Sequence, residues 1–356
     1  MGELLPGASH SDASTGRSLR LVTMGTGEFA LPTFRLLSDR GYHVVGLVTQ
    51  PDRPTGRSRE IRPGPVKQLA LERGIEVFQP ESVNVPEGID WLRGRSPDVL
   101  VVAAFGQILS PAVLEVPRLG GINLHASLLP KYRGAAPVAW AIYHGESETG
   151  VTVIRMLPRV DAGSILAQAR TSVFPDETAG ELEDRLAALG APLVCETIEQ
   201  LQAGTAKEVA QDPKLVSRAP KLKKEDGLID WNRPARQVFN QVRAMQPWPT
   251  AYSFWHRREA ATAARSEPAR FTLWRVRPLE SGERPAGQPQ AVSTGTIFGT
   301  EHGRLLVQVR DALVEVEELQ PAGKDRMTAA AFLRGSRVKT GDRFGTKRLP
   351  EAQSGD

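Results

Sequence analysis

The sequence predicts an α/β fold, a doubly wound, mostly parallel sheet domain, followed by a small OB-like β-barrel domain. Three observations predict it. From Leu19 to about Val173, β-branched runs alternate with amphipathic, helix-like segments. Past the Lys-rich stretch that ends near Lys224, short separated strands take over. Charge changes with them: residues 1–204 hold 19 basic and 23 acidic side chains, net −4, and residues 205–356 hold 26 and 18, net +8.

The first eighteen residues lack an apolar core segment and carry one arginine, so they read as a disordered tail and not a leader. LRLVTMG, HVVGLVTQ, EVFQP, DVLVVAAF, GGINLHAS and ETGVTVIRML then read as strands. EFALPTFRLLSDRG and PVKQLALERG lie between strands, with helical apolar spacing and a closing glycine. A longer helix is expected over Thr178 to Ala203, and polar sequence over 204–224 reads as a linker. AYSFW, FTLWRVRPL, GTIFGT, RLLVQV and ALVEVEELQ supply the strands of the barrel. The segments His256 to Arg270 and Glu280 to Gly295 read as mobile loops within it, and 349–356 as a tail.

Several function classes lose support at once. No apolar run approaches the roughly 20 residues of a membrane span. Cys195 is the only cysteine, and its helical setting, LVCETIEQL, predicts a buried thiol. The six histidines form no H-x-x-x-H pair, so metal-free chemistry is expected. A cytoplasmic monomer is expected, and the basic C-terminal part suits a polyanion.

MGTGEFA, Met24 to Ala30, follows a strand and opens a helix, as a dinucleotide fingerprint does. A nicotinamide-dependent oxidoreductase is therefore an alternative. Against it, the second strand ends in Thr49 and Gln50 where a ribose-binding acid belongs, and a tight turn at Gly25 and Gly27 accounts for the glycines.

The strand GGINLHAS supplies the chemistry. Alternation puts Asn123, His125 and Ser127 on one face, at the carboxyl end where open α/β sheets bind ligands. Each could merely satisfy neighbouring backbone, but together they make a set. Downstream, Asp161 stands in a D-x-G turn, where it could simply cap its own backbone. A carboxylate, an imidazole and a carboxamide also suffice for acyl transfer to an amine. The expectation is that Asn123 and His125 donate to the developing oxyanion and that Asp161 raises the basicity of the imidazole and helps take the proton.

Asn123, His125 within HASLLP, and Asp161 within VDAGSIL resemble the signature of the 10-formyltetrahydrofolate-dependent formyltransferases. The resemblance implies that these three are catalytic and that 10-formyltetrahydrofolate is the co-substrate. It further implies that Ser127, Leu128, Leu129 and Pro130 lie against the folate, and that Phe105, Gly106, Gln107, Ile108 and Leu109 wall its pteridine pocket.

The family includes enzymes acting on glycinamide ribonucleotide, on nucleotide sugars and on methionyl-tRNA. TQPDRPTGRSREIRPGPVK resembles the loop that the methionyl-tRNA formyltransferases insert after the second strand, and LKKEDGLIDWNRPA, RAMQPWPTAY and LQPAGKDRM resemble their C-terminal motifs. The resemblance implies initiator methionyl-tRNA as partner, held by Arg53, Arg57, Arg59 and Arg62 of the loop, with Arg57 leading, and by Lys221, Lys223, Lys224, Lys324 and Arg326. It assigns residues 19–203 to catalysis and 225–348 to tRNA. Trp231, Trp248 and Phe239 could stack on bases, but are expected in the hydrophobic core. A sugar-nucleotide acceptor, or a non-catalytic RNA-binding protein on the same fold, remains an alternative.

Overall fold

Strand β1 (Arg20–Met24) pairs in parallel on one side with β2 (His43–Val48) and on the other with β4 (Val99–Ala103). β2 continues to β3 (Val77–Phe78), and β4 to β5 (Gly121–His125), all parallel. The strand Glu148–Arg155 joins β5 antiparallel, and Ile165–Ser172 closes the sheet, giving the order β3-β2-β1-β4-β5 followed by those two. This is a computed structural model, and it describes residues 19–54, 62–257, 267–279, 292–298 and 303–348. The two expected tails, and most of the two expected mobile loops, lie outside the described residues.

The first of two compact units contains the parallel-rich sheet. β4, VLVVA, is buried along its whole length, as an apolar run in a parallel sheet covered on both faces must be. Helices over Leu31–Asp39, Pro65–Glu72 and Pro86–Arg95 connect the strands, each with proline in its first turn, where the missing N–H has no helical partner anyway. The long helix runs Ala179–Ala203, and Cys195 within it is buried, as expected. The Tyr42 hydroxyl donates to Glu199 of this helix at 2.8 Å. Strand order reverses direction between β1 and β4, so the carboxyl ends of β1, β4 and β5 border the crevice where such sheets take ligands.

Gly25 decides the meaning of the first glycine motif. A Cβ there would lie 2.5 Å from the Ala103 carbonyl oxygen, so close packing of the turn on β4 demands glycine. Where a dinucleotide fold would present an acid, Gln50 instead donates to the Phe105 carbonyl at 3.1 Å.

The second unit carries a separate antiparallel sheet. Its strands are Ala251–His256, Ala269–Pro278, Ile297–Phe298, Leu305–Gln308, Leu313–Pro321 and Arg343–Gly345, with Met327–Thr328 pairing beside Leu313–Pro321. A bridge from Thr296 to Arg343, with Ile297 N–H donating to the Asp342 carbonyl at 2.7 Å, links Ile297–Phe298 to Arg343–Gly345. Its aromatic core stacks Trp231 on Phe344 and sets Trp255 edge-on to Phe271 and Phe332. Trp231 and Phe239 are buried as expected. Trp248 is not: it is 50% exposed, in the irregular segment that leads into Ala251–His256, so apolar character alone misplaced it.

No helix among the described residues is long and apolar enough to cross a membrane. No three His, Cys, Asp or Glu side chains among them stand together as metal ligands.

Candidate active site

His125 ends β5 and is 6% exposed. Its Nε2 lies 2.9 Å from the Tyr132 carbonyl oxygen. A carbonyl only accepts, so Nε2 carries the proton of the neutral ring and Nδ1 is the basic nitrogen. Nδ1 faces Asp161, 3.6 Å from Oδ2. The same carboxylate oxygen accepts the Gly134 N–H at 2.8 Å. Among the described residues Nε2 is the hydrogen-bonded ring nitrogen, so the N–H expected to donate to an oxyanion is committed to Tyr132, while Nδ1 keeps its lone pair.

Asn123 lies two residues back on β5, half-buried, and its carboxamide makes no hydrogen bond among the described residues. It is the polar side chain of β5 that keeps its donors available.

Asp161 sits in the left-handed region, φ +49°, which Asp tolerates better than most residues. Arg155 N–H donates to Ser164 carbonyl at 2.9 Å around the turn, and a Cβ at Gly163 would fall 1.6 Å from the Arg155 carbonyl oxygen. The D-x-G spacing therefore has a steric cause: only glycine lets the chain close behind Asp161.

Further support comes from residues that no motif marks. Gln211 donates to the carbonyls of Asp161 (2.8 Å) and Gly163 (2.7 Å), and accepts from the Arg133 guanidinium at 2.7 Å. Burial, reinforced by Arg159, pushes the Arg133 guanidinium down from its usual range. Ser217 Oγ accepts the Tyr132 N–H at 2.9 Å. Both Gln211 and Ser217 belong to the stretch that reads as polar linker, where nothing in composition separates a packed strap from a spacer.

The HASLLP turn is built from inside. Thr152 Oγ donates to the Ser127 carbonyl (2.6 Å) and accepts from Leu129 N–H (3.1 Å), and Gln168 donates to Leu129 carbonyl (2.8 Å). Ser127 is 0% exposed and donates to the Lys131 carbonyl at 2.7 Å, so it does not share an open face with Asn123. Strand alternation fails there because β5 ends at His125. Leu129 is buried, while Leu128 and Pro130 are half-buried.

The segment after β4 divides similarly. Phe105 and Leu109 are core side chains packed among Met24, Val102 and Val113. Gln107 accepts the Val83 N–H at 2.9 Å. Gly106 and Ile108 face outward. Of the basic loop, Arg57 and Arg59 lie outside the described residues. Arg53 and Arg62 are exposed, and Arg53 stands 3.5 Å from Glu81. The loop base is fixed: Asp52 pairs with Lys67 at 2.5 Å and accepts from Gln79 at 3.1 Å. The Lys67 hydrogen bond holds the Asp52 carboxyl below the usual carboxylate range.

In the second unit Lys221, Lys223, Lys224 and Lys324 are exposed, and their ammonium groups form no ion pair among the described residues. Arg326 differs, pairing with Glu318 and lying 5.0 Å from the Trp274 ring centroid.

Comparison with known proteins gives two family matches: residues 19–198 match the formyl transferase family and 221–337 the formyl transferase C-terminal domain. The methionyl-tRNA formyltransferase of Geobacter sulfurreducens is 44% identical over 327 residues, 92% of this chain and 97% of that one. That of Geotalea daltonii is 45% identical over 329 residues, 92% and 99%. Among solved structures, HypX from Aquifex aeolicus in complex with tetrahydrofolic acid shares the fold, with TM-score 0.56 at 16% identity. The alignment covers 89% of this chain and 47% of HypX, so the chain spans about half of that structure.

Proposed function

Because the chain belongs to the formyl transferase family, and within it to the methionyl-tRNA formyltransferases, we propose that it transfers a formyl group from 10-formyltetrahydrofolate to the amino group of methionine on initiator tRNA. The products are N-formylmethionyl-tRNA and tetrahydrofolate. Identity above 40% along nearly the full length of two enzymes named for that reaction is the observation that carries the reading.

The site geometry suits the chemistry. 10-Formyltetrahydrofolate supplies the formyl carbon that the amine attacks. The attacking nitrogen must lose a proton while negative charge gathers on the formyl oxygen. Asn123, whose donors are uncommitted, is the group we assign to that oxygen. His125 and Asp161 handle the proton: Nδ1 accepts it, the imidazolium that results lies between the Asp161 carboxylate and the Tyr132 carbonyl, and the proton passes on to the folate nitrogen as its bond to the formyl carbon breaks and tetrahydrofolate leaves. Gln211, Arg133 and Ser217 are positioning residues for this pair.

In the same reading, Gly106, Ile108, Leu128 and Pro130 offer the accessible surface to the folate, and Phe105, Gln107, Leu109, Ser127 and Leu129 shape it from behind. Arg53, Arg57, Arg59 and Arg62 meet the tRNA near its aminoacylated end. Residues 225–348 form an OB-like barrel that holds the tRNA backbone, with Lys221, Lys223, Lys224 and Lys324 as phosphate contacts and Arg326 as a lesser one. The protein acts in the cytoplasm as a monomer.

The test is formylation with 10-formyltetrahydrofolate as donor, offered methionyl-tRNA and, separately, an amino-sugar nucleotide. Formyl transfer to methionyl-tRNA is the expected result. Transfer to the sugar alone would overturn the acceptor and leave the chemistry of the site intact.

A further inference from the structure

The outer face of the antiparallel sheet carries a feature that the basic motifs do not include. Along Ala251–His256 burial alternates, with Ala251, Ser253 and Trp255 inward and Tyr252, Phe254 and His256 outward. The register pairs Tyr252 with Thr272 and Phe254 with Arg270, so Arg270 shares that outward face. Its guanidinium lies over the Tyr252 ring, 4.0 Å from the centroid, and Phe254 stands edge-on to Tyr252 with centroids 5.9 Å apart.

Two observations give this group a partner. The first is charge. Arg275, Arg277, Arg304 and Arg326 of the same unit each pair with a glutamate, Glu317, Glu315, Glu315 and Glu318 respectively. Arg270 is exposed and forms no ion pair among the described residues. The second is position. The turn Lys224–Gly227 runs into Leu228, which bridges to Tyr252, and Ile229 N–H donates to the Tyr252 carbonyl at 2.9 Å. The turn that begins at Lys224 therefore borders Tyr252: a Cβ at Gly227 would lie 3.3 Å from its ring. An exposed lysine-bearing turn beside a planar guanidinium that has no ion pair among the described residues is the combination that single-stranded RNA uses: phosphates on the former, a base on the latter.

We propose that Arg270, backed by Tyr252 and flanked by Phe254, is a stacking platform for one unpaired base of the bound tRNA. The proposal rests on the tRNA reading above. Arginine is required there for its plane as well as its charge, because lysine offers only a point charge.

tRNA affinity measured across a salt series on Arg270→Lys, Arg270→Ala, Tyr252→Leu and Tyr252→Phe tests it. Arg270→Lys and Tyr252→Leu should each weaken binding on the order of tenfold, the usual effect of losing one stacked base. The slope of log affinity against log salt should stay that of wild type, since stacking displaces no counterions. Tyr252→Phe should bind as wild type. Replacing Lys221, Lys223 and Lys224 together by Ala should instead flatten the slope. Arg270 is exposed, so Arg270→Lys gives a reading even if Tyr252→Leu fails to fold.

Wild-type affinity in Arg270→Lys would mean that charge alone matters and would overturn the platform, as would a slope that falls with Tyr252→Leu. A change confined to self-association in sedimentation would make the face a contact between copies and also overturn it. Wild-type protein that formylates methionyl-tRNA, with Arg270→Ala binding unchanged, sinks the platform alone. Wild-type protein that neither binds nor formylates tRNA sinks both.

Discussion

His125, Asp161 and Gln211 belong to a network in which nearly every polar atom is held by another part of the first unit, whereas Lys221, Lys223, Lys224 and Lys324 of the second stand exposed without ion pairs among the described residues. The contrast fits the role proposed for each region. A group that handles a proton has to be fixed within a few tenths of an ångström, and burial with several hydrogen bonds achieves that. A group that neutralises a phosphate acts through charge, tolerates movement and loses its value if a carboxylate already occupies it. Substitutions in the first region should therefore act on turnover, and in the second on affinity and its salt dependence.

The largest effect that would sharpen this contrast is expected at the His125–Asp161 pair. His125→Ala or Asp161→Ala should abolish turnover, while circular dichroism and tRNA binding stay those of wild type, because proton handling matters chiefly in the transition state. Measurable formylation near the wild-type rate by either soluble variant would erase the distinction between the two regions.

Next comes Asn123. Its carboxamide makes no hydrogen bond among the described residues, and loss of one oxyanion donor costs on the order of a hundredfold or more in rate. Asn123→Asp should be at least as harmful as Asn123→Ala, since it sets a negative charge where charge develops. A single-turnover rate for Asn123→Asp equal to wild type would return the donor role to His125 and require the ring to release Tyr132.

The three residues proposed for the chemistry were legible in the sequence because each sits in a pattern with a steric cause: the end of a core strand for Asn123 and His125, and a D-x-G turn closed by Gly163 for Asp161. The parallel-rich sheet was legible for a related reason, since β-branched runs such as VLVVA follow directly from burial on both faces. What supports the site was not. Gln211 and Ser217 act through side chains that reach backbone carbonyls and N–H groups far away in sequence, and Thr152 and Gln168 do the same beneath the HASLLP turn. Such contacts depend on tertiary placement and leave no local period. Ser127 shows the opposite failure, in which a period was extended past the end of its strand.

Gln211 gives a middle-sized effect. Its side-chain hydrogen bonds go to the Asp161 turn and to Arg133, so the role proposed for it is to hold that turn through two donated hydrogen bonds. Gln211→Ala should lower kcat by about tenfold, the equivalent of roughly 1.4 kcal/mol and within the range of two net hydrogen bonds. KM for tRNA and for folate should change little. A rise in KM for tRNA with unchanged kcat would move Gln211 out of the catalytic region and into the binding one.

The smallest effect separates Lys324 from Arg326, two basic residues that the sequence places in one motif and the structure places in different electrostatic settings. Arg326 pairs with Glu318 and packs over Trp274, so a phosphate would have to compete with a carboxylate already in contact. Lys324 carries no such partner among the described residues. A lysine that binds one phosphate contributes on the order of 0.7 to 0.9 to the slope of log affinity against log salt. Lys324→Ala should therefore flatten the measured slope by about that amount. Arg326→Ala should leave the slope within error and release Glu318, whose freed charge repels the backbone and weakens affinity slightly at low salt only. Glu318→Gln supplies the converse: with its carboxylate neutralised, Arg326 becomes available, and affinity at low salt should rise. Equal slope changes in Lys324→Ala and Arg326→Ala would show that the surface pair opens at no cost when tRNA arrives, and that exposure, not pairing, decides which basic groups of the second unit bind.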